Sequence, residues 1–240
     1  MDAKLRLDQA LTNLKLVASR SQAESYIKLG KVTVNGKVVT KPGQLVGSQV
    51  EVKLTASEQY VSRAGLKLAS VAKLLKLNFV DKTVLDVGSS TGGFTDYALQ
   101  HGALKSIAVE LGTNQLHPSL HGNPQIELHE KTDIITFKTD QVIDIVVADV
   151  SFISLRAILP NVATLCTKNT QIVAMVKPQF EAIESSLKHK GVIKNDKIRR
   201  DILRDFENWA LKKFIIIDKA DSEVAGSRGN RERFYVLRKL

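Results

Sequence analysis

The chain has 240 residues, 43% of them hydrophobic, which is enough for one medium domain, or a small one joined to a medium one, and excludes a disordered polymer. Thirty-five Lys and Arg against 25 Asp and Glu leave a net charge of +10, an excess suited to a polyanion such as nucleic acid or an anionic membrane surface. Its one cysteine, Cys166, excludes an internal disulfide and a cysteine-based zinc cluster; in the apolar stretch "VATLC" it reads as a small buried hydrophobe. The opening "MDAKLRLDQA" has no signal-peptide core, and no run approaches the ~18 apolar residues of a membrane span, so the expectation is a cytoplasmic protein.

In chain order, Leu7, Leu11 and Leu14 recur at helical spacing. A second helix is predicted from Ser19, with Gln22 as its capping-box partner, Ala23 and Ile27 on one face, and Gly30 closing it. Val32 and Val34 then alternate, Asn35-Gly36 supplies a type I′ hairpin turn, and Val38-Val39 begins the return strand. From Met1 to Lys53 there are nine Lys/Arg against four Asp/Glu, a net of +5 on a compact helix–helix–hairpin unit, which suits docking on phosphates. The order and spacing of "RLD", "SRSQA" and G-K-V-x-V-N-G resemble the S-four RNA-binding domain. That resemblance implies RNA binding through the helix pair and hairpin, with Arg6, Arg20, Lys28 and Lys31 as contacts. A small α+β domain over residues 1–54, a polar linker over 55–62 and a second domain over 63–240 are therefore expected.

From Val84 onward strand-like and helix-like segments alternate: "TVLDV", "SIAVEL", "IDIVVADV", "TQIVAMV", "FIIID" and "RFYVLRK". That pattern predicts a layered α/β domain with a mostly parallel sheet, whose ligands bind beyond the carboxyl ends of the strands. The first strand runs into "GSSTGGF", which three kinds of site could use. A dinucleotide loop needs glycine at the first, third and sixth positions, and here Ser90 takes the middle place, where a side chain keeps the backbone from a pyrophosphate. A nucleophile elbow, with Ser90 in G-x-S-x-G, belongs in the middle of a hydrolase sheet and not after its first strand. A methyl-donor loop needs only a tight turn and a helix start whose amides face the methionine carboxylate of S-adenosylmethionine. It also needs an acid at the end of the second strand for the ribose hydroxyls; Glu110, 22 residues beyond Gly88, stands there, and Asp133 is placed for the adenine amino group. The candidate donor-binding set is Asp86, Gly88, Ser89, Ser90, Thr91, Gly92, Gly93, Phe94, Glu110, Asp133 and Asp149.

The acceptor atom is read from the other strand ends. Base-amino methyltransferases carry Asn or Asp, two prolines and an aromatic residue after the fourth strand; "Asp149-Val150-Ser151-Phe152" has no proline. Instead Asp149 ends one strand, Lys177 ends the next, Glu232 opens the last, and Lys67 lies just ahead of the first. Two lysines and two carboxylates suit a ribose hydroxyl, a poor acid that must shed its proton as it attacks the sulfonium methyl. The candidate catalytic set has Lys177 as base, Asp149 and Glu232 setting its position, and Lys67 tuning its charge or holding substrate. The spacing His117-x-x-x-His121 could suggest a metal pair, but Pro118 and Gly122 disfavour a regular helix there.

The RNA-binding module followed by "YVSRAGLKL", "LDVGSSTGGFTD", "VVADVSFISL" and "VKPQFE" resembles the TlyA family, called haemolysin A-like, whose catalytic domain is similar to the FtsJ 2′-O-ribose methyltransferases. The resemblance implies a Rossmann-like class I methyltransferase sheet with an antiparallel last strand, a Lys-Asp-Lys-Glu tetrad on Lys67, Asp149, Lys177 and Glu232, and S-adenosylmethionine as cofactor. It implies ribosomal RNA or ribosomal subunits as partner, with cytidine 2′-hydroxyls methylated. Three departures stand out: Glu110 replaces a common Asp, Ser227 and Arg233 alter the motif around Glu232, and "HKGVIKN" has one glycine fewer than the usual loop. Two other readings are a membrane-active haemolysin, for which no spanning or strongly amphipathic basic segment is present, and an RNA-binding protein whose methyltransferase half no longer turns over.

Overall fold

The computed structural model describes residues 4–182, 191–193, 195–226 and 229–240. Ser227 and three residues of "HKGVIKN", 189, 190 and 194, lie outside them. The chain opens with β1 (Leu5–Arg6), α1 (Leu7–Asn13), α2 (Arg20–Lys28), β2 (Val32–Val34), β3 (Lys37–Val38), β4 (Leu45–Val46) and β5 (Val52–Leu54). Ser19 caps α2 by accepting from the Gln22 amide at 3.2 Å. Gln22 does not reach back to the Ser19 amide as a capping box would; its Oε1 accepts from Ala18 N and its Nε2 donates to the Tyr60 carbonyl at 2.6 Å. At the hairpin tip Asn35 and Gly36 both have positive φ, 48° and 77°, as a type I′ turn requires.

There follow α3 (Arg63–Ala72), β6 (Thr83–Val87), α4 (Gly93–Gln100), β7 (Lys105–Val109), a 3₁₀ turn (Pro118–Leu120), β8 (Ile126–His129), β9 (Ile145–Ala148), α5 (Leu155–Thr164), β10 (Gln171–Val176), α6 (Pro178–Glu181), α7 (Asp196–Ala210), β11 (Phe214–Asp221) and β12 (Arg233–Lys239). The seven strands of the second domain lie in the order β11-β12-β10-β9-β6-β7-β8. All neighbours are parallel except those of β12, which runs antiparallel to both β10 and β11. β8 is absent from the sequence reading because it is a four-residue edge strand, only partly buried, with Glu127 and His129 alternating with its apolar residues.

Each central strand sends alternate side chains to two cores. On one face Val84, Val147, Val173 and Phe234 pack against α3 and α4. On the other Leu85, Val146, Ile172 and Tyr235 pack against α5 and α7. The first core is continuous with Leu7, Leu11, Tyr26 and Ile27 of the N-terminal unit. The stretch read as a polar linker carries the junction. Tyr60 is buried, its ring 5.3 Å from Tyr97, and the neighbouring Val61 amide donates to Asp96 Oδ2 at 2.7 Å. Its letters are polar because Tyr60 is the one fully buried residue of the stretch, with Ala56 packed on the core's edge.

Two charged groups of the fold have clear physical assignments. Asp8, fully buried at the start of α1, accepts from Arg6 at 2.6 Å and Arg20 at 3.3 Å, and the Arg6 hydrogen bond holds its carboxyl below the usual range. Asp86, also buried, takes both the backbone and hydroxyl donors of Thr95 on one oxygen, at 3.0 and 2.7 Å. Burial raises its pKa to about 7, against the Thr95 hydrogen bonds, with Asp149 and Glu110 adding repulsion.

Removing the Tyr60 ring should cost the fold about 3–5 kcal/mol, as for other buried aromatics cut to alanine, and Tyr60→Ala should show this loss in urea unfolding. Because Asp86 binds its proton more tightly in the native state than in the unfolded chain, its contribution is full below about pH 4 and is lost as pH rises to about 7. The stability of wild type relative to Asp86→Asn should therefore fall over that window, by up to about 1.4 kcal/mol per pH unit, and be flat above it; urea titrations at a series of pH values measure it.

Candidate active site

Three loops meet above the carboxyl ends of β6, β7 and β9. The loop after β6 has left-handed φ at Gly88 (77°), Ser90 (48°) and Gly92 (83°), so it coils tightly before α4. At Gly88 a Cβ would lie 2.9 Å from the Asp149 carbonyl oxygen, so this glycine lets the β6 and β9 loops touch. Glu110, just beyond β7, turns toward the loop. Its Oε2 accepts from the Ser90 amide at 2.9 Å, and its Oε1 accepts from the Gly112 amide at 2.7 Å. Oε1 also accepts from Gln115 Nε2 at 3.4 Å, so Oε2 is the oxygen that retains capacity for another donor. Gln115, not singled out from the sequence, completes this corner: its Oε1 accepts from Ser90 Oγ at 3.0 Å.

The other candidates of this set fall into different places. Ser89 and Phe94 are buried, Phe94 with its ring 6.0 Å from that of Phe234. Asp86 faces Thr95 inside the fold. Gly93 starts α4 where a Cβ would meet Ala64 at 2.8 Å, so this glycine serves the approach of α3. Thr91 and Asp149 line the main cleft. Asp133 is exposed, and its Oδ1 accepts from the Ile135 amide at 2.9 Å, closing a turn.

That cleft, about 690 Å³, also brings together Lys67, Asp149, Lys177 and Glu232. α3 supplies Lys67 from its buried stripe, the ends of β9 and β10 supply Asp149 and Lys177, and Glu232 stands one residue before β12. They form two ion pairs. Lys177 Nζ is 2.5 Å from Asp149 and donates to Ser151 Oγ at 2.7 Å. Lys67 Nζ donates to Glu232 at 3.0 Å, with both side chains buried. Glu232 thus holds Lys67, whereas the sequence reading grouped it with Asp149 around Lys177. The pairing follows from charge: a buried lysine needs its own counter-charge, and Asp149 already satisfies Lys177.

The acceptor side of the cleft has features that composition did not single out. Phe152 follows Ser151 with φ 65°, unusual for a bulky residue, and its ring is 80% exposed and 5.3 Å from Phe180. Ala18, Ser19 and Ser21 line the same cleft, so the N-terminal unit forms part of its wall. Of the four candidate RNA contacts, Arg6 and Arg20 are about half exposed and share Asp8, while Lys28 and Lys31 stand exposed. His117 lies on the cleft wall with Nδ1 2.8 Å from Ser119 Oγ, while His121 Nε2 is 3.0 Å from the Leu116 carbonyl, so the two rings have separate partners.

The FtsJ-like methyltransferase family model matches residues 60–240, and the S4 domain model matches residues 5–52. The 23S rRNA (cytidine-2′-O)-methyltransferase TlyA of Campylobacter jejuni is 42% identical over 182 residues, 75% of this chain and 71% of that protein. The 16S/23S rRNA (cytidine-2′-O)-methyltransferase TlyA of Mycobacterium tuberculosis is 32% identical over 244 residues, 99% of this chain and 91% of that one. Among solved structures, a hemolysin-type protein of Streptococcus thermophilus superposes with a TM-score of 0.72 at 34% identity, covering all of this chain and 90% of that one. The chain therefore belongs to the FtsJ-like methyltransferase family, in its TlyA group, with an S4 domain ahead of the methyltransferase domain.

Proposed function

We propose that this protein transfers the methyl group of S-adenosylmethionine to the ribose 2′-hydroxyl of cytidine in ribosomal RNA. The observation that carries the reading is the pairing of two lysines with two carboxylates in one cleft beside the glycine loop: Lys177 with Asp149, Lys67 with Glu232. The TlyA relatives, named for cytidine-2′-O methylation of rRNA, support the same substrate. The basic N-terminal unit, taken as residues 1–54 with a junction over 55–62 and a catalytic domain over 63–240, supplies the docking surface. Work on ribosomal RNA or subunits implies a cytoplasmic location; among the described residues no helix is long and apolar enough to cross a membrane.

The residues present fit such a donor. Glu110 is fixed by two backbone amides and Gln115, with acceptor capacity left on Oε2 for a ribose hydroxyl, and the coiled loop 88–92 runs beside it. Bound there, S-adenosylmethionine supplies an electrophilic methyl on a sulfonium. Lys177, entering the step as the neutral amine, takes the 2′-hydroxyl proton and ends as the ammonium paired with Asp149. The carbon's bond to sulfur breaks as its bond to oxygen forms, and the sulfur leaves as a neutral thioether. Asp149 and Ser151 hold the amine in place. Lys67, buried against Glu232, adds a fixed cation on the same wall, where it steadies the oxygen as it gains charge. The exposed Phe152 ring offers a face on which the target base can stack once drawn from its helix.

Glu110→Ala should weaken donor binding by roughly 1.5–3 kcal/mol, the worth of hydrogen bonds to a charged acceptor, in calorimetric titration; unchanged affinity would remove Glu110 from the donor site. Lys177→Ala should bind donor and RNA almost normally yet transfer methyl groups about 10²–10⁴-fold more slowly. Lys177→Arg should not restore the rate, because a guanidinium cannot accept the proton. An RNA carrying a single 2′-deoxy substitution at the target should bind and stay unmethylated. A methyl group found on that substrate would place the acceptor on a base.

A further inference from the structure

A third buried carboxylate stands next to this site and has no part in the steps above. Glu181 closes the single-turn helix α6, four residues after Lys177, and is almost fully buried. α6 is itself tied to the base: the amides of Phe180 and Glu181 donate to the Lys177 carbonyl at 2.9 and 3.3 Å. The carboxylate reaches away from its own strand, across to the loop after β9. Its Oε1 accepts from the Leu155 amide at 2.6 Å, and its Oε2 accepts from the Ser154 hydroxyl at 2.6 Å. Ser154 is the residue that caps α5, and the four residues between Asp149 and Ser154 include Ser151 and Phe152. The charge is balanced from α5: Arg156 Nε lies 3.4 Å from Glu181, while the other end of that guanidinium pairs with Asp205 of α7 at 2.7 Å. Arg156 also lies 6.0 and 5.9 Å from the ring centres of Phe206 and Trp209, so its position is fixed by packing as well as by charge.

A buried carboxylate is expensive to keep, and an apolar side chain could fill its volume at lower cost. What an apolar side chain could not do is hold two loop ends by directional bonds. Burial raises the Glu181 pKa, while the hydrogen bonds from Ser154 and Leu155 and the Arg156 charge act to lower it. We infer that Glu181 is a positioning residue for methyl transfer: it locks the β9 loop, carrying Asp149, Ser151 and Phe152, to the β10 turn that carries Lys177. The 2.5 and 2.7 Å contacts of Lys177 then persist because both of their anchoring loops are tied by one side chain. The inference rests on the proposed reaction, and it predicts a loss confined to the chemical step.

The test uses the full chain with Glu181→Gln, Glu181→Ala and Ser154→Ala. Glu181→Gln keeps one acceptor for Leu155 and removes the charge; Ser154→Ala removes one of the two bonds and leaves the carboxylate. In methyl transfer to ribosomal RNA, kcat should fall about 10-fold or more for Glu181→Ala and less for the other two, with KM for RNA and donor affinity within about threefold of wild type. The Ser154→Ala change should add little on top of Glu181→Gln, since both cut the same link. Independently of activity, hydrogen exchange at the Leu155 amide and through residues 150–155 should speed up in each variant. Faster exchange with no transfer by wild type would sink the proposed reaction and leave the lock standing. A wild-type kcat in folded Glu181→Gln, or a rise in KM with kcat unchanged, would overturn the lock. If neither Glu181 variant folds, Ser154→Ala decides, and exchange and kcat both at wild-type values would overturn it.

Discussion

The site depends on how closely α3 can approach the start of α4. Gly93 opens α4 at a point where any side chain would collide with Ser62 and Ala64, and Gly65 on α3 sits where a Cβ would lie 2.6 Å from Tyr60 and 2.9 Å from the Gly93 carbonyl. Two glycines therefore set the distance between the helices. That distance carries Lys67, two residues beyond Gly65, into the cleft beside Glu232, and it presses Tyr60 onto Tyr97. A single steric constraint thus fixes both a catalytic candidate and the join between the two domains. The glycine loop, read at first as a ligand-binding turn, is equally a packing device.

The join has consequences for how the domains act together. The core on the α3 side of the sheet runs without interruption into α1 and α2, and Gln22 and Tyr26 bond to the carbonyls of Tyr60 and Glu58. The N-terminal domain is packed onto the catalytic domain over an apolar surface. Its α2 start lies in the wall of the cleft that holds Lys177, so the N-terminal domain and the candidate site share one surface. Asp8 holds two guanidinium groups, those of Arg6 and Arg20, on one buried carboxylate, which fixes their spacing.

Charge in the cleft is arranged in pairs. Lys67–Glu232 and Lys177–Asp149 are each neutral overall, so the wall can be largely buried without a net charge to solvate. The pairs differ in exposure and in partner. Lys67 is enclosed between α3 and β12, whereas Lys177 is more open and shares its amine with a serine hydroxyl. In the proposed reaction, that asymmetry matches a cation that steadies the oxygen and an amine that takes the proton.

Much of this was written locally. The hairpin turn, the Ser19 cap, the glycine loop and the alternating strands follow from backbone preferences and hydrophobic period, which act over a few residues. The clustering of Asp149 and Lys177 was legible too, because parallel strands place their carboxyl ends at one edge. Contacts spanning long separations were not. Lys67 meets Glu232 across 165 residues, and no spacing could show that Glu232 would choose Lys67 over Lys177. Tyr60 looked like part of a polar linker, because burial of one ring depends on a surface 37 residues away at Tyr97. Glu181 had no role assigned within "VKPQFE"; its bonds to Ser154 and Leu155, both at 2.6 Å, exist only in the folded chain. The sequence by itself determined the hairpin, the glycine turn and the buried central strands and which strand ends carry charge; the tertiary structure alone decided the edge strand β8 and which charges pair, because both depend on distances that only packing sets.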